Sequence, residues 1–347
     1  MGRARSLAVA ALLVTALVGT PARAGVGRNG LIAFSRQGDV FTIRPGGTGL
    51  EQLTSGDAED VPLWTRDGSM LVVVRALHTE TGSRWRVLTM RPDGSDRMRF
   101  RPRVLGSIQR PDVSPDGTKL VYADMDLSNT GLPDPYASAI RILDLRTGAR
   151  SRLTGYGTWN SGPAWSPDGT KIAFESSRDG DAEIYVMAPD GTGLVQVTRN
   201  EVNDFSPVWS PDGTRIAFQT TFPNVDGGDD GSAIAMVDVG GGEITVLTDG
   251  SRFDGQPVWS PDGSLILFSS SPTSPEGGRS HLWVMGPDGS EQTVIADEGD
   301  FAAWSPDGTK VVFARGGDLF IVAVAGDNEQ RLTRGAAFDY WPAWQER

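Results

Sequence analysis

The sequence predicts an all-β fold, a β-propeller of four-stranded antiparallel blades, and three observations predict it. First, a short string returns along the chain. WSPDG begins at Trp165, Trp209, Trp259 and Trp304, WTRDG at Trp64 and VSPDG at Val113, and a truncated PAW ends on Trp344. These anchors are 49, 52, 44, 50, 45 and 40 residues apart, and a period of about 40–50 residues with four strands per unit marks a propeller. Second, β-rich runs sit at fixed offsets from the anchors. Third, with Gly 44 and Pro 22 among 347 residues, turn formers are abundant enough for many short strands rather than for a helical protein.

Each unit reads as strands A to D. The anchor closes strand A. Seven residues later strand B begins: LVVV at Leu71, LVYA at Leu120, IAFE at Ile172, IAFQ at Ile216, ILFS at Ile266 and VVFA at Val311. The constant offset fits a tight hairpin in which Pro presets φ and Gly accepts a positive φ. Strand C follows a variable gap, as RVLTM at Arg86, AIRIL at Ala139, EIYVM at Glu183, AIAMV at Ala233, HLWVM at His281 and LFIVA at Leu319. A second turn leads to strand D, as SRLT at Ser151, VQVT at Val195, TVLT at Thr245 and QRLT at Gln330. The first unit has B at Leu31, C at Val40 and D at Glu51 but no A. Its missing strand is WPAW, Trp341 to Trp344, so the two ends of the chain complete one blade and hide both sheet edges. Counting B strands gives seven blades; six is the second count.

Ahead of the repeats, Arg3 and Arg5 precede an apolar stretch from Leu7 to Val18, and Ala22-Arg23-Ala24 forms a small-x-small site. This reads as a secretory signal peptide over residues 1–24, cleaved after Ala24, followed by one propeller domain over 25–347. An uncleaved anchor is the alternative, but a span needs about 20 apolar residues and this run is shorter. The expected location is therefore secreted, periplasmic or cell-envelope, with no membrane insertion after cleavage. A net charge of −12 argues against nucleic acid as partner. Cys 0 excludes disulfides, thiolate catalysis and Cys-ligated zinc, and two histidines, His78 and His281, exclude multi-His metal sites.

On these motifs a family resemblance becomes specific. PAWSPDGTKIAFESSRDGDAEIYVMAPDGTGLVQVT, Pro163 to Thr198, resembles the TolB-type propeller repeat, a WD-like unit. The resemblance implies the fold rather than a task, because propellers host many functions. TolB carries an α/β domain before its propeller, whereas here the first strand is expected within a few residues of the cleavage site. Neither room for an α/β-hydrolase domain nor a G-x-S-x-G motif is found.

Meander geometry puts the A–B and C–D turns on one face and the B–C and D–A connections on the other, where lengths vary and binding is expected. The candidate loops are Arg75 to Arg84, Asp124 to Ser138, Thr220 to Ser232 and Ser269 to Ser280. The aspartates of the SPDG turns, Asp116, Asp168, Asp212, Asp262 and Asp307, read as turn residues. The anchor tryptophans read as packing between blades. A further series precedes the anchors: Asp60, Asn160, Asp204, Asp254, Asp300 and Asp339, broken only by Gln109 and Arg110 in the unit anchored at Val113. It reads either as caps of the individual loops or as an oxygen-rich ring at the channel mouth. Such a ring, with Asp60, Asp204, Asp254, Asp300 and Asp339 as metal-ligand candidates, would hold Ca²⁺ or attract a basic partner. The acidic stretch Asn224 to Ser232 lacks calcium-loop spacing, and His281 stands alone.

The functional expectation is a monomeric, non-catalytic propeller that binds a protein, peptide or glycan through its loop-rich face, with no cofactor expected except Ca²⁺ at that ring. The alternatives are a carboxylate- or metal-dependent lyase or hydrolase at the channel mouth, and a structural subunit of a cell-envelope assembly.

Overall fold

The SPDG turns fold flanking strands into hairpins, and the hairpins chain into meanders. A computed structural model describes residues 29–56, 59–79, 82–100, 106–126, 137–223, 229–273, 279–335 and 337–346. The leader sequence, the cleavage site and the acidic stretch from Asn224 to Gly228 lie outside them. The described residues contain 28 strands and no helix. They pair as five four-stranded antiparallel sheets and one eight-stranded sheet, the latter being two four-stranded meanders joined by one parallel bridge, Ser232 to Phe253.

Sheet 1 runs Asp339–Glu346, Asn29–Arg36, Asp39–Ile43 and Glu51–Gln52. Sheet 2 is Glu59–Trp64, Leu71–Thr79, Gly82–Met90 and Met98–Phe100. Sheet 3 is Gly106–Val113, Lys119–Asp126, Ser138–Asp144 and Arg150–Arg152, and sheet 4 is Asn160–Trp165, Ile172–Ser176, Glu183–Met187 and Val195–Gln196. Sheet 5 is Asp204–Trp209, Arg215–Pro223, Asp229–Asp238 and Thr245–Val246. Sheet 6 is Arg252–Trp259, Ile266–Pro272, His281–Met285 and Thr293–Ala296, and sheet 7 is Asp300–Trp304, Lys310–Arg315, Asp318–Ala323 and Gln330–Arg331. All four connections read from sequence as loops are in part strand: strand B runs on to Thr79, Asp126, Pro223 and Pro272, and in sheets 2 and 5 strand C returns from Gly82 and Asp229.

Closure uses the two ends of the chain. Ile32 pairs with Trp344, Ala33 with Ala343, Ser35 with Tyr340 and Arg36 with Asp339. Gln345 reinforces the seam, accepting from Leu31 N–H at 2.9 Å and donating to Gly68 O at 2.7 Å.

Packing turns the sheets into a ring. Each apolar cluster is shared by two neighbours: sheets 1 and 2, 2 and 3, 3 and 4, 4 and 5, 5 and 6, 6 and 7, and again 7 and 1. The anchor tryptophans carry this shingling, each lying on the sheet that precedes its own. Trp209, for instance, packs with Ala173 and Ile184 of sheet 4 and donates from Nε1 to Ala164 O at 3.0 Å. Trp64 and Trp304 donate in the same way to Ala343 O and Val258 O. Truncating such a residue to Ala costs about 3–5 kcal/mol.

The turn aspartates are structural, as their repetition suggests. Asp168 Oδ1 accepts from Ser166 Oγ at 2.7 Å and from Thr170 N–H at 3.0 Å, beside Gly169 at φ 71°. Burial pushes Asp168 up, but these bonds more than reverse it and leave it below its ordinary value. Asp67, Asp116, Asp212, Asp262 and Asp307 repeat the arrangement.

Candidate functional site at the channel mouth

Strand A is the first strand of each sheet, and A strands of neighbouring sheets touch one another in six of the seven junctions of the ring. They therefore wall the channel, and the acidic series sits at their starts. Asp60, Asn160, Asp204, Asp254 and Asp339 occupy one register position, opposite Arg75, Ser176, Thr220, Ser270 and Arg36 of strand B. All five are at most 4% exposed, and their sheets hold them individually.

Two carry a counter-charge. Asp60 accepts from Arg75 Nε and Nη2 at 2.7 and 2.5 Å and from Thr54 Oγ1 at 2.8 Å. Thr54 in turn accepts from Val40 N–H at 2.8 Å, which ties the A strand of sheet 2 to the outer edge of sheet 1. Asp339 accepts from Arg36 Nε and Nη2 at 2.6 and 2.7 Å. Asp204 has no arginine opposite; Asn200 Nδ2 donates to it at 2.9 Å. Burial pushes its carboxyl up to about 7, with the neighbouring Glu183 charge adding to the rise.

Asp300 departs from the series. Strand A of sheet 7 is one residue shorter before the anchor, so Asp300 pairs with Ala314, the position that Tyr340 holds opposite Ser35 in sheet 1. A one-residue shift sends a side chain to the other face, and Asp300 is exposed where the others are buried. In sheet 3 the carboxylate moves to strand B: Asp124 lies opposite Ile108 and pairs with Arg141 at 2.6 Å. Among the described residues no three His, Cys, Asp or Glu side chains come together in a way that would hold a metal ion.

A second once-per-sheet position shapes the channel wall. Three residues before each anchor, Arg110, Gly162, Ser206, Gln256, Phe301 and Trp341 adopt φ between 43° and 58°. Each sits in a register shift where strand A carries one extra residue against strand B. Only sheet 2, with Val61 and Pro62, pairs without a shift. A β-bulge re-aims its side chain. Left-handed backbone costs little for Gly162, but for Phe and Trp it is a strained state that must be held by its surroundings. Proline follows five of the six, at Pro111, Pro163, Pro207, Pro257 and Pro342, where the ladder is already broken and no N–H is required.

Side chains at this position differ in chemistry from sheet to sheet. On one side they build a polar bridge. Arg110 Nη1 donates to Ser206 Oγ at 2.8 Å and lies 3.4 Å from both oxygens of Glu175. Glu175, on strand B of sheet 4, is fully buried and accepts from Ser206 N–H at 2.7 Å. The bridge spans sheets 3, 4 and 5 because the intervening position is Gly162; a Cβ there would stand 3.0 Å from Glu175 Cδ. Beside it, Asp112 replaces the Ala, Val or Leu of the other A strands and accepts from Trp165 N–H at 2.7 Å. Burial pushes Asp112 up to about 7.

On the other side the wall is aromatic. The Tyr340 and Trp341 rings are 4.7 Å apart at 89°, Phe301 and Trp341 are 6.1 Å apart at 83°, and Phe301 and Tyr340 are 6.5 Å apart. All three are half-buried, and Phe338, just before Asp339, is 68% exposed.

Sequence reasoning found the acidic series but not this bulge series. The signal lay in the residue before Pro-x-Trp, which varies while its neighbours repeat.

Known proteins bear out the repeat type. The family model described as PD40, TolB beta propeller domain, matches residues 70–223. The chain is 36% identical over 86 residues to "Uncharacterized peptidase YuxL" of Bacillus subtilis, a match that covers 24% of this chain and 13% of that protein. Among solved structures, TolB from Acinetobacter baumannii superposes over 90% of this chain and 82% of its own, at 20% identity and a TM-score of 0.58. Oligogalacturonate lyase from Vibrio parahaemolyticus covers 90% of both chains, at 14% identity and a TM-score of 0.68. The repeats are thus of the TolB-like propeller type, and the structural likenesses establish the fold alone.

Proposed function

We propose that this protein is an exported, non-catalytic propeller that binds a protein or peptide partner at the channel mouth. One observation carries the reading. A backbone device repeated in six sheets presents a side chain at the channel wall, and its chemistry runs from Arg through Gly, Ser and Gln to Phe and Trp. Positions that only hold the ring, the anchor tryptophans and turn aspartates, repeat nearly unchanged. Variation on a fixed, strained backbone is what recognition requires and packing does not. The leader sequence, with its basic start and small-x-small site, supports export to the cell envelope or beyond.

The test is capture from cell-envelope extract by the purified chain and two variants. Phe301→Ser with Trp341→Gln borrows residues that Ser206 and Gln256 already place at the same bulge. Lys171→Ala alters the opposite face. Loss of captured partner in the first variant and retention in the second is expected. Equal capture by both variants contradicts the reading. Turnover of an acidic oligosaccharide by the purified protein would replace it with the lyase or hydrolase alternative.

A further inference from the structure

Three internal arginines show how this chain holds a guanidinium. Arg36 lies 5.3 Å from the ring centroids of Phe34 and Phe41 while bonding to Asp339. Arg141 lies 5.6 Å from the Tyr156 ring and 2.6 Å from Asp124. Arg315 lies 4.0 Å from the Phe320 centroid and donates to Glu329 at 3.0 Å. Each time, an aromatic face and a carboxylate grip one planar cation, the geometry that suits Arg better than Lys.

Where sheets 7 and 1 meet, an aromatic cluster and a carboxylate occupy neighbouring register positions. Phe301, Tyr340 and Trp341 form the aromatic element, each half-buried. Asp300, immediately before Phe301, is exposed at the register position that Tyr340 holds in sheet 1. No hydrogen bond or ion pair of the Asp300 carboxylate is found among the described residues. The nearby arginines of these two sheets are already spent, Arg36 on Asp339 and Arg315 on Glu329. Phe301 and Trp341 both hold left-handed backbone, φ 55° and 54°, a strain that tends to persist at working sites.

We propose that Asp300, Phe301, Tyr340 and Trp341 form a receptor for an arginine side chain carried by a protein or peptide partner. A chain of net charge −12 draws such a partner in. The proposal rests on the binding function proposed above and names the chemistry of the group bound.

Isothermal titration of the full chain with a capped Gly-Arg-Gly-Arg-Gly peptide tests it, alongside the citrulline peptide, which keeps the shape and loses the charge, and the lysine peptide. The arginine peptide is expected to bind at least about tenfold more tightly than the citrulline one, with lysine between them. Asp300→Asn is expected to weaken binding about threefold to tenfold, and Phe301→Ser with Trp341→Gln to remove it, a melting temperature within a few degrees of the parent showing that each variant is folded. Equal affinity for the citrulline peptide, or full binding by both variants, overturns the proposal. So does binding of a neutral oligosaccharide in place of the peptide, which would make the wall a sugar-stacking platform. Failure here with partner capture still lost in the aromatic variant would leave the binding function standing and remove only the arginine.

Discussion

The two sides of the channel mouth share one backbone device and differ in what it carries. Arg110 and Ser206 are tied through buried Glu175 across sheets 3 to 5, so the polar side is closed on itself. The aromatic side, Phe301 with Tyr340 and Trp341, leaves its neighbouring carboxylate unpaired and its rings half-exposed. A propeller separates scaffold from recognition by position within the repeat. Here the same position serves both: on one side it staples sheets, on the other it faces outward. The polar side should therefore answer perturbation with stability and the aromatic side with binding.

The largest effect tests where the aromatic side is anchored. Trp341 belongs to the strand that closes the ring, so ending the chain at Tyr340 removes the Ala33–Ala343 and Ile32–Trp344 pairs and exposes an edge. A loss of several kcal/mol is expected, about half of an ordinary domain's stability. Thermal melting of the truncated and full chains checks this; midpoints within a degree or two of each other would break the closure account.

Next comes Glu175→Ala, which leaves Arg110 mostly buried with no carboxylate. Denaturant unfolding should show a loss of about 2–4 kcal/mol. Trp341→Gln should stay within about 1 kcal/mol, since the Trp341 ring is only half-buried and Gln256 already holds the same left-handed bulge in sheet 6. Comparable losses at the two sites would erase the contrast between staple and recognition surface.

Stability against pH gives a smaller, broader effect. Asp112 and Asp204 are raised from 3.8 to about 7 by burial. Being protonated more readily when folded than when unfolded, they cost nothing below about pH 4 and increasingly destabilise the fold as pH rises to about 7, beyond which the cost is constant. The melting temperature should fall between pH 5 and pH 8, and Asp112→Asn with Asp204→Asn should flatten the profile. A profile rising with pH and indifferent to those substitutions would contradict the burial argument.

The smallest effect concerns calcium. Asp60 and Asp339 are neutralised by Arg75 and Arg36, and Asp300 is out of register with both. Melting in EDTA and in millimolar Ca²⁺ should agree within about a degree, because a ligand bound at a hundredfold over Kd would add about 2.7 kcal/mol. A calcium-dependent rise that disappears in Asp204→Asn/Asp254→Asn would restore the acidic ring as a metal site.

The order of strands was legible because turn chemistry and hydrophobic alternation are local. Trp165 to Ile172 is one hairpin, and Trp341 to Trp344 lacks a partner nearby. What escaped was non-local or against propensity. Asp300 looks equivalent to Asp254 until the pairing reveals a strand one residue shorter. Arg110 and Glu175 are 65 positions apart, and nothing in either segment announces the other. Left-handed Phe301 and Trp341 oppose the preference of bulky L-residues, so no propensity argument places a bulge there. The hairpins reaching Thr79 and Pro223 carry polar residues that read as loop.

The most direct test of the central claim exchanges side chains within the bulge series while keeping the backbone. Phe301→Ser with Trp341→Gln gives the aromatic wall the residues of Ser206 and Gln256. Stability and partner capture are then measured on the same preparation. The account predicts a melting temperature within a few degrees of the parent and loss of the captured partner. Undiminished capture by the folded variant would contradict it.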